Sequence, residues 1–196
     1  MKKQTAIVLI AAAVGGIASV HAQEVSPKLY AEIGYTKSRY TENDPDPVLP
    51  STIKLMPGAV SGIVGYQFMP NWAVEGLVGV GVGSGKVKAT LDGDDVPNDA
   101  KAKVKYTLGW FIKPSFAVNE RVELFGRLGW VRQKLEVSVP TETATVSTAG
   151  VAYGVGANFN LSKKSYIQAS WMTYFEDNKP VHRTTRGVTV AYGMRF

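Results

Sequence analysis

The sequence predicts an all-β fold: an eight-stranded antiparallel up-and-down transmembrane β-barrel with short turns at one end and long loops at the other. Three observations lead there. Eight segments have a period of two, their connections alternate between short and long, and one strand face is bulky and apolar while the other is polar and rich in glycine. The 196 residues fit one domain. The absence of cysteine excludes a disulfide scaffold, a thiolate metal site and a cysteine nucleophile. Twenty glycines and a charged fraction of 19% disfavour both a helical bundle and a disordered chain.

The first segment is for targeting. Lys2 and Lys3 precede an uncharged run from Thr5 to Val20, and Val20-His21-Ala22 places modest side chains before a cleavage point. Residues 1–22 therefore read as a cleaved signal peptide and 23–196 as the barrel. The run is short for a helical span, which needs ~20 residues. Without Lys2 and Lys3 the charge falls from +6 to +4, too mild and dispersed for a nucleic-acid partner.

The strands follow in order. Leu29, Ala31, Ile33 and Tyr35 alternate with Tyr30, Glu32, Gly34 and Thr36. Val60, Val64, Tyr66 and Phe68 oppose Ala59, Ser61, Gly65 and Gln67, and Trp72, Val74, Val78 and Val80 oppose Ala73, Glu75, Leu77 and Gly79. An even-numbered face then carries Val104, Tyr106, Leu108, Trp110, Ile112 and Phe116, against Lys103, Lys105, Thr107, Gly109 and Lys113. Val122, Leu124, Leu128 and Trp130 oppose Glu123, Phe125 and Arg127. Val151, Tyr153, Val155 and Phe159 oppose Gly154, Gly156 and Asn158, and Ile167, Ala169, Trp171 and Phe175 oppose Gln168, Ser170 and Tyr174. The last segment sets Val188, Val190, Tyr192, Met194 and Phe196 against Thr189, Ala191, Gly193 and Arg195. Each is near the ~9–11 residues that a tilted membrane strand needs.

The short connections are 69–71, 117–120 and 161–165, and the long polar ones are 42–51, 84–102, 137–149 and 176–186. That alternation matches short periplasmic turns and long extracellular loops. Phe68, Trp72, Phe116, Phe159 and Phe196 fall near the short-turn ends, whereas Tyr106, Trp130 and Phe175 fall toward the loops. Two aromatic belts are expected where a barrel meets the membrane interfaces. A soluble lipocalin-like barrel would turn the same faces inside out.

At this point the chain resembles the small eight-stranded outer-membrane barrels related to the transmembrane domain of outer-membrane protein A. The resemblance covers 23–196 and is carried by Ala31-Glu32-Ile33-Gly34-Tyr35, by Asn71-Trp72-Ala73-Val74-Glu75-Gly76 and by Leu124-Phe125-Gly126-Arg127-Leu128-Gly129. The run from Gly154 to Ser162 and the ending Val188 to Phe196 carry it further. It implies location in the outer membrane of a Gram-negative cell. It also implies that Val190, Tyr192, Met194 and Phe196 form the signal read by the barrel-assembly machinery. Ser170 departs from the pattern, since related chains often carry an acid there. The chain stops at its last strand, so no periplasmic peptidoglycan-binding domain is expected.

Eight strands enclose a lumen that side chains nearly fill. The inward set is Glu32, Glu75 and Glu123 against Lys105, Lys113, Arg127 and Arg195. Charges in so narrow a space must pair, which makes a plug. A narrow small-solute or ion channel lined by the same groups is the alternative. Lys86, Lys88, Arg132 and Lys134 follow the lipid-facing parity at the outer strand ends, and Lys179, Arg183 and Arg186 sit in the last loop. Such cations could meet lipopolysaccharide phosphates.

Catalytic and metal signals are weak. His182 is the one histidine of 23–196 and has no serine close in sequence. That disfavours the lipid A-modifying enzymes found among small barrels. Asp92, Asp94, Asp95 and Asp99 do not fit the calcium-loop spacing, and turns favour Asp anyway. No cofactor or metal is expected. The expected function is non-enzymatic: a structural or adhesion-like role in the cell envelope, with outer-membrane lipid and lipopolysaccharide around the barrel and a host or surface ligand at the loops.

Overall fold

The structure is a computed structural model that describes residues 28–44, 51–91, 94–96, 101–138, 143–177 and 182–196. Eleven strands form one antiparallel sheet: β1 (Lys28–Asp44), β2 (Ser51–Leu55), β3 (Gly58–Met69), β4 (Trp72–Gly81), β5 (Gly85–Leu91), β6 (Asp94–Val96), β7 (Lys101–Ala117), β8 (Val122–Ser138), β9 (Thr143–Asn160), β10 (Ser165–Asp177) and β11 (His182–Arg195). Eight of them close a ring in the order β1-β3-β4-β7-β8-β9-β10-β11, sealed by β11 against β1 from Tyr30↔Arg195 to Asn43↔His182. Closure gives every backbone group at membrane depth a partner where no water competes.

The three short strands carry the wall upward. β2 continues β3 across Met56 and Pro57, and β5 continues β4 across 82–84, where Gly83 has φ 75°. β2 pairs with the top of β1 and with β5, whose Gly85 and Lys86 meet the outer end of β7. β6 forms a small hairpin with β5. Much of what reads as long loop is therefore strand: β8 and β9 run on to Ser138 and Thr143. A 17-residue strand tilted ~40° rises roughly 40 Å along the barrel axis, against an apolar band of about 25 Å. The excess stands outside the membrane.

The alternation sorts the faces. Ile33, Val64, Val78, Leu108, Trp110, Leu128, Val155, Trp171 and Val190 are exposed around the outside. Inside, the lumen is layered. Tyr30, Ala73 and Tyr166 lie lowest. Above them Ile63, Leu77, Phe111, Val131, Ala152, Met172 and Tyr174 pack as one apolar layer. Higher still, Tyr40, Leu55, Ala59, Ala102, Val104 and Leu135 form a second. Buried hydroxyls lie around these layers, with Thr36 and Thr189 sharing a hydrogen bond of 2.7 Å. Two lumen glycines are steric requirements. A Cβ at Gly65 would fall on the Tyr30 ring, and one at Gly193 on the Tyr166 ring.

Val104 corrects the even-numbered face read for β7. A bulge between Val104 and Tyr106 shifts the register against β8 by one residue. Val104 is thereby buried in the lumen, while Leu108 stays on the lipid side.

Candidate functional site

The centre of the lumen is a four-charge cluster. β1 supplies Glu32, β4 Glu75, β7 Lys113 and β8 Arg127, each aimed inward by strand parity and each less than 6% exposed. Arg127 clasps Glu75 with two hydrogen bonds, Nε to Oε2 at 2.6 Å and Nη2 to Oε1 at 2.9 Å. Its Nη2 also donates to Glu32 Oε2 at 2.8 Å, and Nη1 to Gln168 Oε1 at 3.2 Å. Lys113 Nζ stands between the acids, 3.4 Å from Glu32 and 3.3 Å from Glu75. Two acids and two bases leave no net charge.

Polar neighbours complete the shell. Tyr30 donates to Glu75 at 2.7 Å, Tyr166 to Glu32 at 2.8 Å, and Gln168 Nε2 to Glu32 at 2.7 Å. Lys113 and Arg127 lie 4.5 and 4.8 Å from the centre of the Phe125 ring. Such contacts let buried charges persist without water, since an unpaired charge there would cost several kcal/mol. Tyr30, Tyr166 and Gln168 were absent from the sequence-derived set. Their signal was present, because each shares the inward parity of the acid on its own strand or of a neighbouring lumen residue.

Of the seven lumen charges read from sequence, Glu32, Glu75, Lys113 and Arg127 come together. Arg195 and Glu123 pair separately, Nη2 to Oε2 at 3.1 Å, nearer the periplasmic end. Lys105 is a correction. The bulge turns it outward, where it is exposed and pairs with Glu136 at 2.6 Å. That contact holds the Glu136 carboxyl below its ordinary pKa. Ser170 does lie in the lumen, and its hydroxyl has no hydrogen-bond partner among the described residues.

The outer cations form a rim rather than a patch. Lys88 is on β5, Arg132 and Lys134 are on β8, and Arg183 and Arg186 are on β11. Arg132 and Lys134 extend the column of Leu128 and Trp130 beyond the apolar band. Arg183 donates to Glu42 at 3.0 Å, which raises the guanidinium pKa. Arg186 lies 4.0 Å from Glu176 and 5.9 Å from the Trp171 ring centre. The side chain of Lys86, together with Lys179 and residues 1–22, lies outside the described residues.

His182 is exposed at the top of β11, opposite Asn43. Among the described residues, no group of three His, Asp or Glu is placed to hold a metal ion. The side chains of the acidic segment from Asp92 to Asp99 lie outside the described set. Val190, Tyr192, Met194 and Phe196 all face outward, with Phe196 71% exposed.

Solved structures share this architecture. The attachment invasion locus protein Ail of Yersinia pestis superposes with a TM-score of 0.52 at 23% identity, over 85% of this chain and 98% of that one. OprG of Pseudomonas aeruginosa gives 0.59 at 13% identity, over 87% and 96%. Neisserial surface protein A gives 0.58 at 10% identity, over 86% and 97%. At these identities the likeness is one of fold. In sequence, 58 residues are 41% identical to the attachment invasion locus protein of Yersinia enterocolitica. That match spans 30% of this chain and a third of the relative's length. The family model for the outer membrane protein β-barrel domain matches residues 8–196, and the chain belongs to that family, a barrel of the outer membrane.

Proposed function

We propose that the chain is a non-enzymatic surface-interaction protein, an adhesion-like barrel whose plugged lumen anchors structure presented outside the cell. One observation carries this reading. The lumen is filled by a neutral ion cluster and two apolar layers, while β1, β7, β8 and β9 run 17 or 18 residues, well past the membrane. A wall that continues upward around a blocked interior suits display rather than transport. The partial sequence match to a protein named for attachment and invasion supports the same reading. The lumen charges act as the plug. Lys88, Arg183 and Arg186 meet lipopolysaccharide phosphates around the rim, with Lys86 as a further candidate, and Arg132 and Lys134 join them when no other anionic ligand occupies them. The barrel-assembly machinery reads the terminal strand.

The test is gain of function. The chain is expressed in a non-adherent Gram-negative strain, and attachment to cultured cells and to matrix-coated surfaces is counted. Attachment above the vector control is expected. Surface display without attachment would contradict the reading.

A further inference from the structure

The barrel wall has an open seam. β9 pairs with β8 along its whole length, from Thr143 to Phe159. It pairs with β10 only from Tyr153 to Asn160. Above Thr173 a bulge shifts β10, which then follows β11 alone up to Asp177↔Arg183. Residues 143–152 of β9 therefore carry a ladder on one side only, among the described residues. The foot of the seam is closed by Tyr153 donating to Glu176 at 2.7 Å and by the Phe175 ring set against Gly150. That leaves 143–149 as an open edge.

The edge has none of the usual protection. Its sequence, Thr-Ala-Thr-Val-Ser-Thr-Ala, contains no charge and no proline, and all but Thr148 are exposed. An uncharged, extended edge is a template for another strand. The acid on the far lip of the seam, Glu176, is taken up by Tyr153 and Arg186, so the β8 side says what kind. On the outer face Thr145, Ser147 and Ala149 stand opposite Glu136, Lys134 and Arg132 of β8. Glu136 is already engaged by Lys105. Arg132 and Lys134 have no acidic partner among the described residues. A strand added to β9 would lie two strand spacings away from them, about 9–10 Å. Only the small side chains of Ala149 and Ser147 would intervene. Carboxylates on alternate residues of the guest could reach across to both cations.

We infer that 143–149 of β9 accepts an extended acidic polypeptide segment by strand addition, pairing with the free backbone edge and with Arg132 and Lys134. This deepens the surface-interaction reading and rests on it. The barrel holds the edge in place, and backbone pairing supplies affinity while alternate carboxylates supply selectivity.

The test uses the full chain folded in phosphatidylcholine nanodiscs and a labelled twelve-residue peptide of alternating threonine and glutamate. Binding is read by fluorescence anisotropy. Two further peptides carry N-methyl groups on one or the other alternate set of amides, and a third has lysine in place of glutamate. Strand addition requires that one N-methyl set weakens binding at least tenfold while the other is tolerated. The lysine peptide should not bind, and Ser147→Glu should weaken the parent peptide about tenfold. Folding of that variant is checked by its heat-dependent electrophoretic mobility. Equal binding of both N-methyl peptides would reduce the effect to charge and overturn the inference. So would absence of peptide binding together with cross-linked dimers of a Ser147→Cys protein, which would assign the edge to a second copy. Undiminished peptide binding by folded Ser147→Glu would overturn the inference and leave the attachment reading intact. Failure of wild-type cells to attach bears on that reading alone.

Discussion

Arg127 holds Glu75 through two parallel hydrogen bonds, 2.6 and 2.9 Å long, although 52 residues separate them. Neither is accessible to water, and both sit among Glu32, Lys113, Tyr30 and Gln168. A bidentate clasp of this kind fixes geometry as well as charge. Replacing Arg127 with Met leaves two buried carboxylates facing one lysine, so the barrel should lose about 3–5 kcal/mol. Urea unfolding in detergent micelles, followed by electrophoretic mobility, measures this. Adding Glu75→Gln to Arg127→Met should cost less than the two single changes together, because they share one interaction.

The glycine at 193 makes room for the Tyr166 ring, whose hydroxyl reaches Glu32. Gly193→Val should therefore destabilise by about 1–3 kcal/mol through overpacking. Tyr166→Ala in the same chain should recover part of that loss, although Tyr166→Ala alone is itself destabilising. A Gly193→Val protein as stable as wild type would show that the ring does not fill the lumen there.

The bulge in β7 predicts opposite fates for two lysines eight residues apart. Lys105 points outward beside Glu136, and Lys113 points into the ion cluster. Since the chain has no cysteine, single replacements report cleanly. On intact cells a membrane-impermeant maleimide should label Lys105→Cys and leave Lys113→Cys unmodified. Because loss of Lys113 disturbs the cluster, folding of that variant is checked by its mobility before and after heating.

That bulge also marks where sequence reading stops. Within the membrane the apolar side of a strand faces lipid, and above it the apolar side turns inward. In β8 the change is visible, because Leu128 and Trp130 give way on the same face to Arg132 and Lys134, while Val131 and Leu135 continue inside. In β7 the even positions stay apolar from Ala102 to Trp110, which reads as one unbroken face. Only the extra residue near Lys105 lets Val104 point in and Leu108 out. The ring of eight was legible from alternation, and the direction of its faces from the two aromatic belts, because alternation by itself fits either direction. The ion-pair partners were not, because strand stagger decides which of several inward acids meets Arg127. The open edge of β9 was hidden for a related reason: 143–149 is polar and small enough to read as loop.

Phe196 separates assembly from stability. Its side chain is exposed on the lipid face at the end of the ladder, its backbone N–H donating to the Leu29 carbonyl at 2.8 Å. Phe196→Ala keeps that bond, so purified protein should refold in micelles nearly as well as wild type. If the terminal residues are the assembly signal, recovery from the outer-membrane fraction should fall severalfold. Equal recovery would remove Phe196 from that role.

The most direct measurement is ion conductance of the folded barrel in a planar bilayer. A lumen closed by the Glu32, Glu75, Lys113 and Arg127 cluster and by two apolar layers should give no current steps above the bare membrane. Discrete steps that track the amount of folded, heat-shifted protein would show a continuous water path, and the chain would then be a channel rather than a plugged anchor.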